Sequence, residues 1–129
     1  MFLDEIVLVK EVDIDGVEYE VKQSKVTLID CWAPWCKPCK DLAPILENLE
    51  MSYSDNPDVS FLKIDVQEHH EYGRKHDIMA IPCVLVFFEG EPALFEDPSG
   101  RMGEKKTDRL IGLRPAEHYE SVISHLLQT

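Results

Sequence analysis

Cys36 and Cys39 are the residues of this chain whose type and spacing could do chemistry. They stand in the run Trp32-Ala33-Pro34-Trp35-Cys36-Lys37-Pro38-Cys39-Lys40. Two thiols three residues apart share one face of a helix's first turn. The first of them then meets unpaired backbone N–H groups and the positive end of the helix dipole, a setting that favours thiolate over thiol. A thiolate attacks a disulfide, and a second thiol within reach attacks the resulting mixed disulfide and releases the partner. The pattern points first to a two-cysteine redox couple.

The competing chemistry for such a pair is half of a zinc site. Structural zinc wants a second pair, and the remaining cysteines, Cys31 and Cys83, lie singly in apolar runs. Redox use is favoured by the flanking pattern. A strand-like run, Val26 to Asp30, precedes the pair, a helix-like run from Asp41 to Glu50 follows it, and Pro38 separates the two thiols.

The surrounding chain must position those sulfurs. With 129 residues and 44% hydrophobic content, the expectation is one globular domain, 1–129, that buries its core without disulfide staples. The net charge of −12 speaks against a nucleic-acid partner or an anionic membrane surface. Met1-Phe2-Leu3-Asp4-Glu5 lacks the basic start and apolar run of a signal peptide, and no stretch approaches a membrane span. The expected compartment is the reducing cytoplasm, where a Cys-x-x-Cys pair cycles between its two states.

Residues 1–21 carry seven acidic groups and one basic, Lys10. Asp15-Gly16 sits between alternating runs, which predicts an acidic hairpin over 1–22 with strands at 7–14 and 17–22. The redox core then spans 23–129. Within it, 25–32 reads as a central strand, and Leu42, Ile45, Leu46, Leu49 and Tyr53 form a buried helical stripe with Pro44 inside it. Residues 59–65 read as a parallel partner reached by that crossover helix. A polar helix over 67–76, an apolar strand over 83–88 and an antiparallel return at 92–95 follow. A loop covers 96–106 and an edge strand 107–111. Pro115 opens a last helix whose stripe is Tyr119, Val122, Ile123, Leu126 and Leu127.

From Val26 to Leu127 these residues, in this order, resemble the thioredoxin family. Asp30 to Lys40 resembles its active-site run, with Lys37 where Gly is usual, and Leu42-Ala43-Pro44-Ile45-Leu46 resembles its kinked helix. Lys63-Ile64-Asp65-Val66-Gln67-Glu68, Tyr72-Gly73, Ile78, Ile81-Pro82 and Phe87-Phe88-Glu89-Gly90-Glu91 match its later half. The resemblance implies an α/β thioredoxin fold: a central mixed sheet flanked by helices, here with the hairpin replacing the usual first helix. It also implies a protein-disulfide reductase without a cofactor. Disulfide-containing proteins are its substrates, and a thioredoxin-reductase-type donor recycles it. A monomer is expected.

It further implies residue roles. Cys36 attacks and Cys39 resolves, while Asp30 accepts the Cys39 proton with Lys63 as its charged neighbour. Pro82 is a cis-proline, and Trp35, Lys37, Pro38, Ala80, Ile81 and Gly112 form the partner's groove with it. The positive charge of Lys37 is expected to favour the Cys36 thiolate and make the couple more oxidising. Cys83 stands where the family usually has Thr. It is either inert core or a third thiol that modulates the couple. A second function class, zinc or iron–sulfur binding by Cys36, Cys39 and Cys83, stays open, as does a non-catalytic interaction protein. No metal ligand set is assigned, and the five histidines read as solvated surface.

Overall fold

The computed structural model describes residues 9–129, so the start of the expected hairpin and the reading of Met1–Glu5 lie outside the described residues. The sheet is built on β2 (Val26–Trp32). Its seven residues pair in parallel with β3 (Val59–Asp65) and in antiparallel fashion with β4 (Cys83–Phe88). β1 (Lys10–Glu11) extends the sheet beyond β3 in parallel. β5 (Glu91–Pro92) and β8 (Arg109–Ile111) both pair with β4. The parallel β2–β3 step is crossed by α2 (Lys37–Ser52), which brings the chain back to the same end of the sheet.

Strand alternation sends Val26 and Leu28 to one face and Thr27, Ile29 and Cys31 to the other. The first face packs against Leu42, Leu46 and Leu49 of α2 and Tyr119, Val122 and Ile123 of α4 (Ala116–Leu127). The second packs against Val17 of α1 (Ile14–Glu20), its C-cap Val21 and Tyr72 of α3 (His70–Lys75). This is a mixed sheet with helices on both faces. Among the described residues, no helix is long and apolar enough to cross a membrane.

The expected N-terminal hairpin is corrected. Residues 14–20 are helical, and among the described residues of that region only Lys10–Glu11 forms a strand, beside β3. Asp13 caps the helix, its carboxylate accepting the Gly16 N–H at 2.8 Å. Ile14, Val17 and Val21 fall at helical spacing, and the last two are buried beneath the sheet. The first helix is present, not replaced. The loop at 96–106 is also more ordered than expected. β6 (Phe95–Glu96) and β7 (Lys106–Thr107) close it into a small antiparallel ribbon, so Phe95 pairs with Thr107 instead of returning along β4.

Candidate functional site

Cys36 is the N-cap of α2, in extended backbone, and Pro38 occupies the first turn. Its Sγ accepts the Cys39 N–H at 3.3 Å, so the helix start points a backbone donor at this sulfur. Cys36 and Cys39 are joined as a disulfide with Cα atoms 5.3 Å apart. In this oxidised form Cys36 is 4% exposed and Cys39 3%, so exposure does not separate the two roles. The two differ in helix position: Cys36 caps α2 and Cys39 lies within its first turn. Ala33, Trp32 and Ile81 pack around the pair.

Asp30 lies beneath that helix start. Trp32, two residues on, packs against the cluster of Ala33, Cys36 and Cys39, and Leu28, two residues back, shares a core cluster with Leu42 and Leu46. Alternation therefore aims Asp30 at the same face, under the first turn of α2. Asp30 is buried, and burial pushes its carboxyl up to about 7. The Lys63 ammonium pulls part of that rise back. Lys63 is the register partner of Asp30 on β3, and its Nζ stands 5.1 Å from the centroid of the Trp32 ring.

The Ile81–Pro82 peptide is cis, and Pro82 O accepts the Gly112 N–H at 2.8 Å. Gly112 has φ +89°, a left-handed conformation that a side chain would strain. The two loops carrying the expected groove residues are thereby tied together. Ala80 and Ile81 also line an open cleft of about 540 Å³ shared with His70, Arg74 and Ile78. Trp35 is exposed beside the disulfide in sequence, and Met79, Ile111 and Leu113 add exposed apolar surface on the loops flanking Pro82 and Gly112.

Lys37 Nζ sits 3.0 Å from the Asp41 carboxylate, an exposed i,i+4 pair that offsets its charge near the cysteines. Cys83 falls in a different cluster from the two disulfide sulfurs. It is the register partner of Cys31 and belongs with Ile29, Leu85 and Tyr72 on the α1/α3 face of the sheet. Cys36 and Cys39 belong to a separate cluster, and among the described residues no three-sulfur ligand set forms from Cys36, Cys39 and Cys83. Burial pushes the Cys83 thiol up to about 11 and the Cys31 thiol well above its usual range. Of the histidines, His76 is not solvated surface. It is half-buried, its ring 4.4 Å from that of Tyr72, and burial lowers its pKa.

The Thioredoxin family model matches residues 8–112, which contain this disulfide, the buried Asp30 and the cis-proline loop. The chain belongs to the thioredoxin family. It is similar to a thioredoxin of Staphylococcus aureus, with 35% identity over 118 residues covering 92% of this chain and 94% of the relative. Among solved structures it resembles the thioredoxin of Malassezia sympodialis, at 26% identity and a TM-score of 0.69, covering 92% and 94% of the two chains. A chloroplastic thioredoxin z shares the fold at a TM-score of 0.75 and 20% identity, covering 100% and 99%. With a disulfide at the start of α2, this thioredoxin-family chain is a thiol–disulfide oxidoreductase. Disulfide-containing substrates and a reductase as electron donor are general to the family.

Proposed function

We propose that the chain works in the reducing direction, as a cytoplasmic, monomeric protein-disulfide reductase recycled by a thioredoxin-reductase-type donor. The observation that carries this reading is Cys36 at the N-cap of α2, with the Cys39 N–H on its sulfur and Asp30 buried below. In the reduced protein, the helix start stabilises negative charge on Cys36 Sγ, which attacks one sulfur of a substrate disulfide. That S–S bond breaks, and the leaving sulfur takes a proton. Cys39 then passes its proton to Asp30 and attacks Cys36 Sγ. The second substrate thiolate leaves, and the protein holds the Cys36–Cys39 disulfide. Two electrons have moved to the substrate, and the donor restores them.

An acceptor with its carboxyl near 7 suits this step, because it accepts a proton near neutral pH and gives it back. Trp35, Lys37, Pro38, Ala80, Ile81, Pro82 and Gly112 form the surface on which the partner's disulfide lies. Lys63 holds charge beside Asp30. Cys83 serves as core: its register opposite Cys31 favours that over a modulating role. Reduction of insulin disulfides in the presence of dithiothreitol tests the reading. The wild-type protein is expected to accelerate it and Cys36→Ser to lose the acceleration. A wild-type rate equal to the uncatalysed one contradicts the proposal.

A further inference from the structure

Three buried polar atoms on one face of the sheet have no hydrogen-bond partner among the described residues: Asp30 Oδ1, Trp32 Nε1 and Tyr119 Oη. Asp30 and Trp32 alternate onto the face covered by α2 and α4. Tyr119 of α4 is fully buried in the same core cluster as Leu28, Val84 and Leu110, within range of the Asp30 charge. A leucine or phenylalanine would fill an apolar stripe without cost, whereas a buried hydroxyl costs free energy until it is hydrogen-bonded. An ionised carboxylate only accepts, an indole N–H only donates, and a phenol does both. One acceptor and two donors in an apolar enclosure are the partners that a single buried water satisfies.

We propose that Tyr119 is a positioning residue for Asp30: its hydroxyl donates, through one bridging water, a hydrogen bond that holds the Asp30 carboxylate while it exchanges a proton with Cys39. The inference rests on the reading of Asp30 as proton acceptor. Tyr119 does not carry the proton. Burial, together with the charge of Asp30, holds its phenol well above its usual range, so it stays a donor throughout.

The groups around Asp30 are few. Lys63 is its register partner on β3 and the uncharged Val84 its register partner on β4, Tyr119 of α4 lies within range of its charge, and Cys39 sits in the first turn of α2 over the same face. Cys31 and Cys83 lie across the sheet as neutral thiols, and Arg114, near Tyr119, is held by Asp97.

The test follows the Asp30 carboxyl by carbon NMR in the reduced protein, alongside the pH profile of insulin reduction. Wild type, Tyr119→Phe, Asp30→Asn and the double variant are compared. Removing a donor to a carboxylate destabilises its charged form. Tyr119→Phe is therefore expected to move both the carboxyl titration and the rate inflection up by about one pH unit. Asp30→Asn should abolish the inflection, and adding Tyr119→Phe should change nothing more. Tyr119→Leu should shift the titration in the same direction if the aromatic variant is poorly folded. An Asp30 titration unmoved by loss of the hydroxyl overturns the proposal while leaving Asp30 as acceptor. An inflection that survives in Asp30→Asn overturns the acceptor reading, and the proposal with it.

Discussion

Cys31 and Cys83 stand directly opposite each other on β2 and β4, on the face of the sheet turned away from the Cys36–Cys39 disulfide. Both are buried, and burial disfavours their thiolates, the reactive form. Cys83→Thr is therefore expected to leave the reduction potential, metal content and insulin-reduction rate unchanged. In the native reduced protein, alkylation should label Cys36 rapidly and Cys31 and Cys83 only on unfolding. Rapid native labelling of Cys83 would contradict this placement.

Asp30 makes stability depend on pH. Its folded carboxyl, near 7, lies above the usual unfolded value of about 3.9. The favourable contribution is full below about pH 4 and is lost as pH rises through 7, where the folded state must hold a buried charge. Asp30→Asn should thus gain on wild type between pH 4 and pH 8, by on the order of 3–4 kcal/mol. Denaturant titrations at the two pH values measure it. A constant difference would place the carboxyl in water.

The order of the strands was legible because β2, β3 and β4 are apolar runs of strand length, and the stretch between β2 and β3 demands a crossover. The first helix was not. Val12, Ile14, Val17, Tyr19 and Val21 alternate around Asp15-Gly16, and Ile14, Val17 and Val21 satisfy a helical period equally well. Asp13, the capping residue, was the signal that separates the two. The cysteine pair was legible from local pattern, whereas Asp30 was named through the family resemblance, and the structure buries it. The face taken by Cys83 depends on its register against β2, and register is a tertiary property. Tyr119 sits correctly in its helical stripe, but the stripe says nothing of the carboxylate it shares a face with.

Asp97 and Arg114 form a mostly buried two-pronged ion pair, with Nη1 and Nη2 donating to the carboxylate at 2.6 and 2.8 Å. It ties the base of the β6–β7 ribbon to the start of α4. The guanidinium holds the Asp97 carboxyl well below the usual range, so its contribution is present above about pH 4 and fades as pH falls below that. Asp97→Asn is expected to cost about 3 kcal/mol at pH 7 and to weaken hydrogen-exchange protection across the ribbon. A loss confined to pH 3 would be inconsistent with the pair.

Lys37 and Asp41 give the couple a small adjustable charge. Because the pair is exposed and mutually neutralising, Lys37→Gly should lower the reduction potential by no more than about 30 mV, equivalent to about 1.4 kcal/mol. Asp41→Ala should raise it, and added salt should shrink both shifts. Equilibration with glutathione reads the potentials. Shifts of the same sign for both variants would show that charge is not the cause.

The division of labour between the two cysteines is tested most directly by trapping. Reduced Cys39→Ser and Cys36→Ser proteins are each mixed with a protein disulfide, and the products are weighed by intact mass spectrometry. With Cys36 at the N-cap as attacking sulfur, Cys39→Ser should accumulate a stable mixed disulfide through Cys36, and Cys36→Ser should remain unmodified. Accumulation by Cys36→Ser, with none by Cys39→Ser, would contradict the account.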